Sequence, residues 1–536
     1  MRSGSHTLFM RGWKLAAAAL CGAALGYGIV RLGYGLVWFD CATGSGVWRS
    51  GGGLVGAVVG AALFMWRFRK NPGIALRCWF PVLPGALLML VSPREAAAWC
   101  AFVLAAGWGV LRWGAAESGG FDRLRRPVAG ALAGKTAAML LTFGMFAFGF
   151  VMQLLAFKSF YLNYLDWGEY AELYLRGKWG VAGAGHCNIL PNLLLFPLVR
   201  AIPRPETLFF VNAALIASAV PLARKLALKL GASKRLTALA VLAGAFLPGF
   251  TGQYLCTFYG YHPAVFLIPI LLAFFCCRAA KNRPGMALFF VLSLAVQETV
   301  ALFWCGWALW LLARREWKRG ILLFVAMLGI FALAAYLAAA GGGYAQAGRY
   351  AALGNSPGEI LTSPFRDFPL FCKTLFTLPN LRFVLYLSIP AGFAAAAFPG
   401  VLIAGVPILA GMLLQSYDSG KNLASQYAVE LSILLLAAAL NNLARLGHGT
   451  PSRVLAFLTR GVPGNGDARR QYRGSLLAFA VLLVAAHLLL GQSLFFGARA
   501  FYGVGKGGFR TVGRLPDGGP VMEYLEVPCS SAAYWL

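Results

Sequence analysis

Three carboxylates lie among aromatic residues in one short stretch of this 536-residue chain, directly after a long apolar run. The stretch extends from Phe157 to His186 and reads FKSFYLNYLDWGEYAELYLRGKWGVAGAGH; its acids are Asp166, Glu169 and Glu172. A carboxylate beside a bilayer is costly unless it is solvated, paired or used in function. This stretch is therefore the first place to look for a site.

Asp166 is the acid with the clearest chemical use. Its carboxylate could act as general base on an acceptor hydroxyl, and the neighbouring rings of Tyr164 and Trp167 could form a floor on which a sugar stacks. If the segment is helical, Asp166 and Glu169 share a face, and such a pair can raise one pKa or hold a divalent cation. The alternative is a solvated interfacial loop with ordinary aromatic belt residues.

Two histidines and one further acid could join this site. His186 opens one apolar run, His262 follows Tyr261 in the motif FYGYHP, and Glu298 interrupts a later apolar stretch. Histidine and carboxylate groups suit several divalent metals, but the long spacing defines no particular metal, so its identity stays unknown. Each histidine could equally be a structural residue at the membrane interface.

Cationic and amide groups are candidates for holding a substrate. A lipid-linked phosphate donor needs positive charges that bind its phosphate and stabilise it as a leaving group. Arg349 is one candidate, and Lys421 and Gln426 belong to a polar segment that begins a later span. The alternative is that these residues anchor the chain at anionic headgroups or form an ordinary loop.

The composition places the chain in a membrane. Hydrophobic residues make up 59% and charged residues only 12% of the sequence, and the mean hydropathy is +0.69. Apolar runs of spanning length alternate with short basic connections, so the net charge of +29 is explained by orientation rather than by nucleic acid binding. The sequence contains no phosphate-binding loop of the Walker type and no HExxH.

We expect an all-α, polytopic integral membrane protein with about 12–15 transmembrane helices. Basic connections taken as cytoplasmic give a cytoplasmic N-terminus and place most acids at the outer face. We divide the chain into a four-helix extension (1–126), a membrane module (127–445) with an outer acidic loop (158–205), and a C-terminal part (446–536). The last part combines a basic cytoplasmic loop, the final span and an outward tail.

The stretch from Met286 to Ala313 poses a problem of parity, because both of its flanks are basic and should lie on the same side. Two half-helices that meet at Gln297 and Glu298 would solve it and place Glu298 at the outer tip. The alternative is one long helix with Glu298 buried in it.

The order of these motifs resembles the prokaryotic membrane family known as domain of unknown function 2079. The residues that carry the resemblance, over about 134–445, are Asp166-Trp167-Gly168, His186, His262-Pro263, Gln297-Glu298-Thr299 and Gln426-Tyr427. The chain departs from the family pattern where Ala171 replaces a second acid, Ala264 follows His-Pro in place of a glutamate, and Gln426 replaces a histidine.

That family is similar to the GT-C superfamily of polytopic glycosyltransferases, so the resemblance implies a GT-C-like module in a prokaryotic inner (plasma) membrane. It implies transfer of a sugar from a polyprenyl-phosphate donor to an acceptor glycan, lipid or protein at the outer face. Asp166 would be the base, and Glu169 or Glu298 would assist with the acceptor or a divalent metal. The rival hypotheses are a transporter or lipid-handling permease without catalysis, and a membrane scaffold.

Overall fold

The computed structural model describes residues 14–26, 29, 46–68, 72–91, 96–116, 122–158, 165–176, 182–183, 186–255, 261–340, 345–354, 357–416, 421, 423, 426–489, 509–514 and 520–524. These residues are almost entirely helical. The all-α class expected from the sequence is confirmed.

The helices follow one another closely along the chain. In the first third they are α1 Lys14–Gly26, α2 Gly46–Phe68, α3 Pro72–Trp79, α4 Val82–Val91, α5 Ala96–Ala116, α6 Asp122–Leu132, α7 Lys135–Lys158 and α8 Leu165–Arg176. The middle third contains α9 Ile189–Ala201, α10 Pro205–Ala217, α11 Ala219–Lys229, α12 Lys234–Phe246, α13 Pro248–Leu255, α14 Leu267–Ala279, α15 Arg283–Leu294 and α16 Val300–Ala313. The last third contains α17 Trp317–Ala340, α18 Pro357–Arg366, α19 Phe368–Leu375, α20 Leu378–Ala396, α21 Val406–Leu414, α22 Val429–Gly447, α23 Arg453–Leu458 and α24 Ala468–Leu489.

Short 3-10 helices and two small hairpins complete the described structure. The 3-10 helices are Pro263–Phe266, Ala345–Tyr350, Pro399–Gly405 and Gln426–Ala428. The antiparallel pairs are β1 Ala182–Gly183 with β2 His186–Cys187, and β3 Phe509–Arg514 with β4 Pro520–Tyr524. In the first pair Gly183 lies opposite His186.

Polar side chains begin several helices at the points where the apolar pattern starts. The side chains of Ser233, Asn282 and Asp367 each accept a hydrogen bond from a backbone N–H in the first turn of α12, α15 and α19. Such caps satisfy donors that a helix leaves unpaired at its start. The connections can therefore stay short, which keeps successive helices adjacent.

Seven stretches among the described residues are long and apolar enough to cross a membrane. They are Ala97–Ala116, Lys135–Leu154, Glu206–Lys229, Lys234–Gln253, Trp317–Leu337, Gln426–Gly447 and Ala468–Leu488. Two bent pairs, α3 with α4 and α19 with α20, raise the number to nine if each pair is one span. Several further helices, including α9, α14, α15 and α16, are apolar but shorter. A polytopic membrane protein is confirmed, and the total of 12–15 crossings stays a prediction.

The chain reverses direction between α15 and α16. The rings of Phe290 and Trp304 lie 4.8 Å apart, and the indole N–H of Trp304 donates to the hydroxyl of Ser293 over 2.9 Å. One continuous helix rises 1.5 Å per residue and would hold positions 290 and 304 roughly 21 Å apart. The two half-helices expected from the sequence are therefore present. Glu298 at their junction is only 2% exposed. The residue is therefore buried, as the alternative of a single long helix proposed, although the chain forms two half-helices.

The N-terminal helices pack directly on the C-terminal ones. Gly114 of α5 meets Gly474 of α24, where a side chain at either position would clash with the opposing backbone. The buried guanidinium of Arg112 donates to three backbone carbonyls, those of Arg77 (2.7 Å), Leu458 (2.8 Å) and Arg460 (2.9 Å). Small residues allow such close approach of membrane helices, and the arginine satisfies the carbonyls that α23 leaves unpaired at its end.

Candidate functional site

Helix α8 carries the acidic motif. The backbone places Asp166 and Glu169 in the first turns of this helix, at the spacing at which helical residues share a face. Trp167 lies between them; the side chains of all three, and Tyr164 as a whole, lie outside the described residues. Glu172 is exposed.

Two tyrosines of α8 are buried in the protein. Tyr170 and Tyr174 are 1% and 0% exposed, and their rings stack 6.1 Å apart. Edge-to-face contacts of 5.8 Å join the ring of Tyr170 to Tyr261 and to His262. Position 166 lies one helical turn before Tyr170, so the acidic end of α8 is held against the segment that carries His262.

Asn188 ties α8 to the start of α9. Its side-chain amide donates to the hydroxyl of Tyr170 over 3.2 Å, and it is fully buried. Two residues on, the backbone N–H of Leu190 donates to the carbonyl of Ala295 over 2.7 Å. The short hairpin β1–β2 and the beginning of α9 are thus fixed to the break between α15 and α16.

This arrangement brings Glu298 onto His186, a residue 112 positions away. His186 Nδ1 lies 2.7 Å from Glu298 Oε1, and the backbone N–H of Cys187 donates to Glu298 Oε2 over 3.1 Å. Because a carboxylate only accepts hydrogen bonds, Nδ1 of His186 carries the proton of this bond. One oxygen of Glu298 therefore binds the ring of His186, and the other binds the backbone of the next residue.

His262 stands beside His186, with ring centroids 6.0 Å apart. Its Nδ1 accepts the backbone N–H of Ala264 over 3.1 Å, which places its own proton on Nε2 and caps the following 3-10 helix. Burial, and then the charges of His186 and Arg349, hold the pKa of His262 well below its ordinary value of 6.5. The imidazole is therefore neutral at physiological pH.

Arg349 is the cation whose charge acts on this histidine. One of its terminal nitrogens donates to the hydroxyl of Tyr427 over 2.7 Å, and its guanidinium carbon lies 5.2 Å from the centre of that ring. The carbonyl of Arg349 accepts the backbone N–H and the hydroxyl of Ser416, over 2.7 Å and 2.9 Å. A planar cation is thus held in place beside a half-buried ring.

Gln426 and Lys421 are the last of the predicted residues. Gln426 precedes Tyr427, is 3% exposed, and its side-chain oxygen meets no hydrogen-bond donor within the described part of the chain. Lys421 is 9% exposed. Buried polar groups of this kind are ordinarily satisfied, so the oxygen of Gln426 is a candidate for contact with a bound molecule.

Contacts and electrostatic interactions within the described residues connect five of the predicted site residues: Tyr261, His186, His262, Glu298 and Arg349. Gln426 belongs to the same region through its neighbour Tyr427. Sequence reasoning missed the tyrosines of α8 and Asn188. The spacing of Tyr170 and Tyr174, one helical turn apart in the helix of Asp166, is the signal that could have found the tyrosines.

Metal binding was left open by the sequence. Among the residues that the structure describes, no three or more His, Cys, Asp and Glu side chains are arranged to hold a metal ion.

Comparison with known proteins matches residues 184–487 to the family described as "Predicted membrane protein (DUF2079)". The matched region starts after α8 and continues to α24, whereas the sequence motifs suggested about 134–445. It contains the pair of His186 and Glu298, and it leaves Asp166 outside. Neither the curated proteins nor the solved structures provide a match. Because the match covers more than half of the chain, this protein belongs to the membrane protein family DUF2079.

Proposed function

We propose that the protein is a membrane glycosyltransferase that moves a sugar from a polyprenyl-phosphate donor to an acceptor glycan, lipid or protein. The observation that carries the proposal is the docking of α8, the helix of Asp166, on a cluster of buried tyrosine and histidine side chains beside the half-buried Arg349. The cluster combines an oriented histidine, a neutral histidine and a fixed cation, groups that can bind a phosphate and stabilise it as it leaves.

Asp166 is the general base in this mechanism, and Glu169 assists with the acceptor. The acceptor hydroxyl oxygen forms a bond to the anomeric carbon while the bond from that carbon to the phosphate oxygen breaks. The hydroxyl proton passes to the carboxylate, and the electron pair of the broken bond leaves with the phosphate. The configuration at the anomeric carbon is inverted.

Glu298 acts through His186 rather than on the substrate. A carboxylate that holds Nδ1 fixes the tautomer and the plane of the ring, so that Nε2 faces one defined direction. We assign His186 and His262 to hydrogen bonds with the sugar or its phosphate, and Glu298 to positioning. This replaces the direct role that the sequence suggested for Glu298.

Arg349 is the candidate for holding the leaving phosphate, with Lys421 as a second positive charge and Gln426 as a polar contact. Its stacking on Tyr427 orients a guanidinium whose planar donors match two phosphate oxygens. Tyr164, Trp167 and Tyr261 form the aromatic floor for the sugar.

We place this chemistry at the outer face of a prokaryotic plasma membrane, with the N-terminus in the cytoplasm. Basic connections such as 224–235, 278–283 and 314–319 then lie inside, as the positive-inside rule requires. Within this scheme residues 1–126 are a membrane extension, 127–445 a GT-C-like module, and 446–536 a C-terminal part. Membrane lipids surround the protein.

A transporter without catalysis is the second candidate. Gln153 and Glu430 are 0% and 4% exposed within candidate spans, and polar groups at membrane depth commonly line a path for a substrate. A transporter carries its substrate across unchanged. A transferase breaks the bond between sugar and phosphate.

The test is the fate of the donor. Purified protein is incubated with polyprenyl-phosphate glucose or mannose and a membrane extract that supplies acceptors, and free polyprenyl phosphate is measured by mass spectrometry. We expect donor-dependent release of polyprenyl phosphate that falls about a hundredfold or more in Asp166→Asn, as expected for removal of a general base. Glu172→Asn, an exposed acid of the same helix, should retain activity.

Two outcomes would contradict the proposal. Full activity of Asp166→Asn would remove the assigned base. Binding of the donor without any release of polyprenyl phosphate would favour the transporter.

A further inference from the structure

A second cluster, made of two arginines and two tryptophans, lies at the end of α14 and in the second half of α16. The guanidinium carbon of Arg278, the last basic residue of α14, lies 4.6 Å from the ring centre of Trp307 and 4.7 Å from that of Trp310. Two indole rings thus hold one half-buried cation by cation–π contact.

Arg314 brings a second cation to the same place. Its guanidinium carbon lies 4.9 Å from the ring centre of Trp310, so two positive charges lie against one indole. The charge of Arg314 acts on Arg278, and such repulsion between like charges is relieved where an anion accompanies them. The nearby acid, Glu316, pairs with Arg314 Nε at 3.5 Å and with Arg319 at 3.3 Å. Glu316 is therefore shared between Arg314 and the more exposed Arg319.

Arg278 makes no hydrogen bond and no ion pair with any residue in the described part of the chain. A guanidinium has five N–H donors, and the indole faces that hold Arg278 supply no conventional acceptor. The rings themselves are rigidly placed: Trp307 contacts Trp310 at 4.8 Å and Phe274 at 5.7 Å. The donors of Arg278 are thus oriented in advance without a partner.

We propose that Arg278 and Arg314, supported by Trp307 and Trp310, bind the phosphate group of an anionic lipid. The planar donors of two arginines match phosphate oxygens, and the phosphate would neutralise the pair. Both arginines begin basic connections that follow apolar helices, 278–283 and 314–319, and basic residues at helix ends attract anionic headgroups. A lipid headgroup is therefore the expected carrier of the phosphate. This site is separate from the transfer chemistry and does not depend on it.

Binding of lipids to the purified full-length protein tests the proposal. The protein in nonionic detergent is titrated with dioleoyl phosphatidic acid, dioleoyl phosphatidylglycerol or zwitterionic dioleoyl phosphatidylcholine, and bound lipid is counted by native mass spectrometry. We expect one tightest site for the anionic lipids. Arg278→Gln should weaken that site about tenfold, the effect of losing a charge-assisted hydrogen bond. Arg453→Gln, which removes an exposed arginine from another basic connection, should leave it unchanged.

Two further variants separate binding from folding. Arg278→Lys keeps the charge but loses the planar donors, and Trp310→Phe keeps an aromatic ring with a weaker cation–π contact; both should give intermediate affinities. Equal affinities for Arg278→Gln and Arg453→Gln, or equal binding of phosphatidylcholine, would overturn the proposal. Competition by inorganic phosphate that is lost in Arg278→Gln would support the phosphate site. Phosphate competition that is unchanged in that variant would count against it.

Discussion

At the scale of single residues, the carboxylate of Glu298 determines how the cluster is arranged. It accepts hydrogen bonds from the ring of His186 and the backbone of Cys187, and its side chain is fully buried. A buried carboxylate is tolerated only where such partners replace its water. Glu298 could be identified from the sequence because it interrupts an apolar stretch. Its partners could not be identified in this way, because they lie far away along the chain.

Replacing Glu298 by Gln tests this arrangement. The amide has only one accepting oxygen, so its NH₂ group either opposes the N–H of Cys187 or donates to Nδ1 of His186 and forces that ring into its other tautomer. We expect the free energy of unfolding to fall by about 1.5–3 kcal/mol, the range for hydrogen bonds to a charged group. Unfolding by SDS in mixed micelles measures the change. Glu172→Gln on the exposed face of α8 is the control, and equal values for both variants would contradict the assigned contacts.

His262 makes the stability of the protein depend on pH. Its pKa in the folded protein lies well below 6.5, so below about pH 6.5 the unfolded chain binds a proton that the folded protein does not. The contribution of His262 therefore lowers the free energy of unfolding as the pH falls below 6.5 and vanishes above it. The variant His262→Asn can still cap the 3-10 helix. In this variant the part of the decrease in the free energy of unfolding that His262 causes below pH 6.5 should be absent.

Thermal unfolding between pH 4.5 and 8 measures how the stability of the purified wild-type protein and of His262→Asn depends on pH. His448→Asn, which changes an exposed histidine, is the matched control. A wild-type profile that coincides with that of His262→Asn would show that His262 contributes nothing.

At the scale of elements, the reversal between α15 and α16 decides where Glu298 lies. Basic flanks on both sides and a polar centre predicted two half-helices, because a single span cannot begin and end on the same side of a membrane. The burial of the junction could not be predicted from this pattern. It arises because the start of α9 bonds to Ala295 and carries His186 onto the tip.

Labelling of introduced cysteines tests the reversal. In a background without native cysteines, Arg283→Cys places an exposed thiol at the start of α15, and Lys318→Cys places one just after the end of α16. A membrane-impermeant maleimide applied to sealed vesicles of one orientation should label both or neither. Labelling of only one of them would require a single crossing and would contradict the hairpin.

At the scale of the whole molecule, the helices before the family-matched region are part of the same packed structure. Arg112 of α5 binds the end of α23, and the indole N–H of Trp108 donates to the same carbonyl of Leu458 over 2.8 Å. The polar break suggested a division of the chain at residue 126. The contacts between α5 and the end of α23 nevertheless join the parts on either side of it.

Arg112→Gln tests whether these parts depend on one another. The shorter side chain cannot reach three carbonyls. Trp108 still donates to that of Leu458, but loss of the hydrogen bonds to Arg77 and Arg460 should destabilise the protein by about 2–3 kcal/mol in total. Thermal unfolding in detergent should show a lower transition temperature for the whole protein. Arg469→Gln, at an exposed position, is the control. Unchanged stability of Arg112→Gln would indicate that the contact between α5 and α23 contributes little.

The amino-acid sequence by itself determined the class of this protein, the positions of its apolar helices and the polar residues at their ends. These properties are local. An apolar run of sufficient length forms a helix in lipid, and a polar residue within or beside it must be solvated, paired or buried in the protein. Only the tertiary structure decided which polar groups meet. The packing of distant helices brings Glu298 to His186, Tyr170 to His262 and Arg278 to Trp310, and no local pattern encodes these pairs.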